Sequence, residues 1–108
     1  MRRLLALALV LASSPAWADD QPPPIEVTLK DHHFSPAEIH LPAGKPAFLH
    51  VTNADETADE FEMRTLAIEK VLPPGGSVLI RIRPLGPGWY DFIGEFHQDT
   101  ASGTIISE

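Results

Sequence analysis

The sequence predicts an all-β domain, a sandwich or barrel of short strands. Three observations carry that reading. Apolar and polar residues alternate with a period of two in several segments, most cleanly from Ser77 to Arg83, where Val78, Ile80 and Ile82 share one face. Eleven prolines and seven glycines lie mostly between those segments, recurring at intervals of roughly 8–12 residues as a small sandwich requires. Beyond residue 18, no stretch holds a helical period.

The start of the chain reads differently. Met1-Arg2-Arg3 is a positive n-region, and Leu4 to Ala12 is an apolar run. Ala16 and Ala18 fit the small-residue rule for cleavage, so residues 1–18 are expected to be a signal peptide removed after Ala18. The apolar run is shorter than the roughly 20 residues a spanning helix needs. Residues 19–24 are polar and proline-rich and read as a disordered lead-in, leaving one domain over residues 25–108. An exported protein, periplasmic in a cell with two membranes, follows. The formal charge of the whole chain is −7, and losing Arg2 and Arg3 makes it more negative. That excludes nucleic acid and anionic membrane as natural partners and favours cations. There is no cysteine, so no disulfide supports the domain.

The elements follow in order. Ile25 to Leu29 alternates and is predicted as a strand. Asp31 to Pro36 reads as a turn. Glu38 to Leu41 is a strand closed by Pro42-Ala43-Gly44-Lys45. Ala47 to Asn53 alternates again, and Asp55 to Asp59 is an acidic loop. Glu60 to Met63 is a short strand, and Leu66 to Val71 fits no single pattern. Pro73 to Gly76 is a turn before the Ser77 strand, and Pro84 to Gly88 is a turn after it. Trp89 to Ile93 and Thr104 to Ile106 close the domain, for seven or eight strands in all. Prolines are kept out of the strand centres, where they would remove ladder hydrogen bonds.

This punctuation resembles the cupredoxin family. The ordered series is Phe34-Ser35-Pro36, Ile39, Pro42-Ala43-Gly44, Asn53, Pro87-Gly88-Trp89-Tyr90-Asp91-Phe92, His97 and Gly103-Thr104-Ile105, running through nearly the whole domain. The resemblance implies a Greek-key β-sandwich. It also implies the place of a copper site, which blue-copper proteins build from two His, one Cys and a weak axial Met. In the corresponding loop, Gly94 to Gly103, His97 matches the loop histidine. Gly94 stands where the Cys belongs, and the axial position falls at Thr100 or Ala101. The first histidine's position is read as Glu60, before Phe61. With no thiolate anywhere in the chain, blue-copper electron transfer is excluded. Carboxylates and imidazole remain, a set suited to Fe, Mn, Zn or Cu(II) rather than Cu(I).

The loop Gly94-Glu95-Phe96-His97, followed by Thr100-Ala101 and Gly103, with Glu60-Phe61-Glu62 upstream, is similar to one branch of the family. That branch comprises the cupredoxin domains of EfeO-type proteins and small periplasmic forms that partner an iron permease. The resemblance implies a non-blue site for an iron or copper ion. It implies service to a membrane iron permease or another periplasmic uptake component, with Fe(II) oxidation or delivery as the role. The implied strand order brings the turn at His32 and His33, the region of Glu60 and Glu62, and the loop of Glu95 and His97 to one pole.

His97 is the foremost metal-ligand candidate, followed by Glu60 and Glu95. His32 and His33 are adjacent and face opposite ways if extended, so at most one joins a site. Glu60 and Glu62 share one face of their strand and Phe61 and Met63 the other; Glu95 and His97 share a face if their segment is extended. Glu62 and Met63 complete the candidate set, although a lone Met more often fills a core. His40 and His50, within strands, read as structural. Asp55, Glu56 and Asp59 read as contributing field rather than ligation. No Ser-His-Asp ordering or glycine-rich phosphate loop is present, so hydrolase and transferase chemistry has no support. Two other functions stay open: a metal-free β-sandwich that binds a protein partner around a decayed copper site, and a copper carrier, disfavoured because Met63 is the sole Met after the signal. A homodimer also stays open, as a second copy could complete a surface site.

Overall fold

The computed structural model describes residues 22–108. The expected signal peptide and residues 19–21 of the lead-in lie outside the described residues. Nine strands form: β1 Ile25–Lys30, β2 His33–Ser35, β3 Glu38–Leu41, β4 Ala47–Asn53, β5 Asp59–Met63, β6 Ile68–Leu72, β7 Ser77–Ile82, β8 Gly88–Gly94 and β9 Ser102–Ser107. Two 3₁₀ turns, Arg64–Leu66 and Glu95–His97, follow β5 and β8. The described residues contain no α-helix, in line with the missing helical period. None of their helices is long and apolar enough to cross a membrane.

The strands make two mixed sheets, ordered β2-β1-β4-β7 and β3-β9-β8-β5-β6. β1 lies parallel to β4 and β3 parallel to β9; the other pairings are antiparallel. Alternation decides what goes inside. In β4, Ala47, Leu49, Val51 and Asn53 are buried while Phe48, His50 and Thr52 are less so. In β8, Phe92 points in while Trp89 is 79% exposed. Phe34, Phe61 and Phe92 meet at the centre, with Phe92 5.2 Å from each of the other two ring centroids. Burying each such ring stabilises the fold by about 1.5–3 kcal/mol. Gly103 makes this possible, because a Cβ there would lie 2.2 Å from Phe92 Cζ.

Two segments differ from the sequence reading. His33–Ser35 is a strand, because the reversal needs only Asp31 and His32, both left-handed at φ 51° and 58°. A two-residue turn of that kind matches the twist of the strands it joins. Ile68–Leu72 is an edge strand pairing only with β5, and a one-sided edge keeps no strict alternation: Glu69, Lys70 and Val71 are all exposed.

Candidate metal centre

β1 and β4 both end at one pole, where Ala54 N–H donates to Leu29 O at 2.7 Å. The Asp31–His32 turn sits there. Asp55 accepts the backbone N–H groups of Asp31 at 2.6 Å and His32 at 3.0 Å. Burial alone would raise the Asp55 carboxyl, but these two N–H bonds, with the charges of His32 and His97, outweigh it and hold it below the ordinary value. Buried Asn53 anchors the same loop, donating to Thr57 O at 2.9 Å and Leu72 O at 3.0 Å and accepting from Asp55 N–H.

Asp59 opens β5 and is 1% exposed. Its Oδ1 accepts the N–H of Glu60 at 2.7 Å and of Phe96 at 3.0 Å; its Oδ2 is 2.8 Å from His97 Nδ1. A carboxylate acceptor places the imidazole proton on Nδ1 and leaves Nε2 with its lone pair in the neutral ring. The His32 ring stacks on that of His97, centroids 3.6 Å apart and planes 14° apart. Lone pairs lie in the ring planes, so two rings stacked this way do not converge on one ion about 2.0 Å from each nitrogen.

Gly94 N–H donates to Ala101 O at 2.9 Å. A Cβ on Gly94 would lie 2.6 Å from Asp59 Oδ2 and 2.8 Å from Ala101 Cβ. The space a cysteine side chain would need is therefore filled. A blue-copper ion does not fit these residues, on steric grounds as well as for want of a thiolate.

The second cluster lies on the outer face of the five-stranded sheet. Glu60 and Glu62 point outward from β5, and Glu62 stands opposite Glu69 of β6. Carboxylate oxygens of Glu60, Glu69 and Glu95 lie within 4.8 Å of one another. Glu62 is 8% exposed. Its Oε1 accepts from Arg64 Nε at 3.1 Å, whereas its buried Oε2 has no hydrogen-bond partner. The Glu62 charge is the main cause holding the Glu95 carboxyl above its ordinary value; burial and the charges of Glu60 and Glu69 add to it. This all-oxygen set suits a hard cation.

The sequence candidates thus divide. His97 and His32 meet at the pole, while Glu60, Glu62 and Glu95 meet on the outer face; β5 separates the two groups. Glu95 and His97 do not share a face, because their segment is a 3₁₀ turn, in which residues two apart point about 240° apart. His33 is exposed on β2, on the opposite side from buried Phe34, and joins neither cluster. Met63 is fully buried with Phe61 in the core. The residue packed against Gly94 and His97 is Asp59, while Glu60 turns to the outer face beside Glu69 and Glu95. In the sequence Asp59 reads only as a field charge, and Glu69 belongs to no motif. The signal that could have found Asp59 is alternation: if Phe61 faces the core, so does Asp59.

Fold and pole together define a cupredoxin-type sandwich with Asp59, His32 and His97 gathered at one pole. The chain belongs to the cupredoxin-like domain family, whose profile matches residues 3–107. It is 38% identical over 107 residues to an uncharacterized protein of Rickettsia prowazekii (strain Madrid E), covering 95% of this chain and 86% of that one. Its fold is similar to the metal-binding domain of the Streptococcus pneumoniae Cu(I)-exporting P-type ATPase, solved with Cu(I), at TM-score 0.70 and 20% identity over 78% of this chain and 83% of that one. It is also similar to auracyanin A, a "blue" copper protein of Chloroflexus aurantiacus, at TM-score 0.69 and 14% identity over 81% of this chain and 99% of that one.

Proposed function

We propose that this protein is a periplasmic metal-binding protein that takes up iron at the Glu60, Glu62, Glu69 and Glu95 cluster and serves a membrane iron-uptake system. The observation that carries this reading is Glu62 Oε2, a buried carboxylate oxygen with no partner, beside three further carboxylates. A buried acceptor oxygen left without a hydrogen bond is costly, and a bound cation satisfies it. Oxygen donors favour iron over Cu(I). The resemblance of the Gly94 loop to the iron-permease-associated branch supports the transport role, with delivery of iron or help in oxidising Fe(II) as the task. Here iron is cargo.

Calorimetric titration with Fe(II), Mn(II), Cu(II) and Zn(II) tests the reading, beside Glu60→Ala, Glu62→Gln and His97→Ala. Loss of Fe(II) and Mn(II) binding in the two glutamate variants, with His97→Ala unaffected, is expected. Equal binding by wild type and both glutamate variants sinks it. The second reading is a metal-free protein-binding module. It is favoured by the exposure of Trp89 and Phe96, and it predicts no metal-dependent heat in any variant.

A further inference from the structure

The outer face of the five-stranded sheet carries an apolar strip at the end of β8 away from His97. Trp89 there is 79% exposed, although tryptophan is highly buried on average. Its register partner on β9 is Ile106, half-buried beside it. Both line one shallow hollow with Ala37, Glu38 and Thr104. Phe96, also exposed, follows the opposite end of β8, next to His97.

Carboxylates border the strip on both sides. Two residues along β8 stands Asp91, in one row with Thr104 and Glu38. The Thr104 hydroxyl donates to Asp91 Oδ1 at 2.9 Å; it is neutral, so Asp91 keeps its full charge. Two residues past Ile106 is Glu108, whose Oε1 is 3.0 Å from His40 Nδ1. Among the described residues, alternation turns no lysine or arginine outward from these five strands. Arg64, in the turn after β5, is engaged with Glu62 at 3.1 Å.

We propose that this strip is a docking surface for an extended protein segment whose apolar residue has lysine or arginine two positions before and after it. The spacing comes from the sheet. Residues two apart on a strand lie about 6.6 Å apart along it, and an extended partner repeats that distance. Its apolar side chain meets Trp89 and Ile106, and its cations meet Asp91 and Glu38 on one side and Glu108 on the other. Exposed tryptophan inside a polar rim is how binding hot spots are composed. The bordering charge decides among occupants. A second copy, joined about a two-fold axis, would bring the same carboxylates together with no lysine or arginine to meet them. Asp19 and Asp20, ahead of the described residues, are acidic as well. This surface does not depend on metal at the Glu60, Glu69 and Glu95 cluster.

The chain from Asp19 to Glu108 contains every strand, and Trp89 is its sole tryptophan, so its emission reads the strip directly. Three acetylated, amidated peptides are titrated in low salt with chelator: Lys-Thr-Leu-Thr-Lys, Ser-Thr-Leu-Thr-Ser and Glu-Thr-Leu-Thr-Glu. The lysine peptide is expected to shift the emission to the blue with saturation, binding at least about tenfold more tightly than the glutamate peptide. One unit charge about 4 Å away in water changes affinity about fivefold. Asp91→Asn should therefore weaken the lysine peptide about threefold to fivefold and leave the serine peptide unmoved. Added salt should weaken the lysine peptide and not the serine peptide. Circular dichroism checks folding, and the salt dependence carries the test if Asp91→Asn does not fold. No saturable shift with the lysine peptide, or equal binding of all three, overturns the proposal. So does a blue shift on raising protein concentration alone, which would assign the strip to a second copy. A shift with phosphatidylcholine vesicles and none with peptide would assign it to lipid, and overturns it too.

Discussion

Replacing Gly94 by Ala adds one methyl group where Asp59 and Ala101 close in on the backbone. The new Cβ would stand 2.6 Å from Asp59 Oδ2, 3.0 Å from Asp59 Cγ and 2.8 Å from Ala101 Cβ. Backbone strain plays no part, since Gly94 has φ −90°. Asp59 cannot yield easily, because its carboxylate holds two backbone N–H groups and His97 Nδ1. Overpacking a closed site costs about 1–3 kcal/mol. If Asp59 moves instead, the charge-assisted bond to His97 is lost, at about 1.5–3 kcal/mol. Either route predicts a loss of about 2–3 kcal/mol, a large share of the 5–15 kcal/mol typical of a domain. Urea denaturation gives the difference from the midpoint shift at constant slope, and the thermal midpoint should drop by roughly 10 °C or more. A change below about 0.5 kcal/mol, the usual range of unconstrained surface substitutions, would refute the view that Asp59 and Ala101 fill this space. Gly94→Cys meets the same atoms, so it is expected to gain no intense copper–thiolate band on adding Cu(II).

Three further outcomes follow from other parts of the molecule. Phe92→Ala empties the contact among Phe34, Phe61 and Phe92 and should cost about 3–5 kcal/mol by chemical denaturation; a cost under 1 kcal/mol would mean that the aromatic centre is not the core. Glu95 is raised above the ordinary 4.5, chiefly by Glu62; the folded protein therefore holds this proton more tightly, and metal-free stability should fall as pH rises from that value through the raised one. Glu95→Gln should flatten that fall in thermal melts run with chelator, and parallel curves for the two proteins would contradict the assignment. Asp55 is depressed, so its contribution is present above its ordinary value of 3.8 and fades as pH drops through the lower folded value. Asp55→Ala should cost about 1 kcal/mol once solvent screening is allowed for, and it should shift the His32 ring resonances; unchanged His32 spectra would disprove the coupling of loop to turn.

Where one face of a strand is buried, the sequence showed it. Val78, Ile80 and Ile82 alternate so cleanly that β7 was plain, and the family resemblance extended that certainty to the sandwich. Edges were opaque. Ile68–Leu72 has a single neighbour and exposes three successive side chains, so no period survives to be read. The short β2 was hidden in a turn because its reversal is made by Asp31 and His32, neither a glycine. At the site, Glu60, Glu62 and Glu95 were legible as a carboxylate set, and His97 from its loop. Their division into two places was not, because it depends on the 3₁₀ turn that swings Glu95 away from His97. The role of Asp59 is not legible, because an acidic residue in an acidic loop looks solvated. Its burial is evident only once the N–H groups of Glu60 and Phe96 are known to close around it.

Asp59 and Glu60 are neighbours in sequence and belong to different chemical compartments. Alternation along β5 sends one carboxylate inward to His97 and the next outward to Glu69 and Glu95, yet the Glu60 amide still donates to Asp59 at 2.7 Å. The strand acts as a partition one peptide thick, insulating by direction but not by distance. An insertion or deletion that shifted β5 by one residue would exchange the two compartments outright, turning the imidazole toward the place of a glutamate and a core phenylalanine out to solvent. The five residues of this strand are therefore the least substitutable length in the protein: its loops can change in number, but the spacing from Asp59 to Met63 cannot.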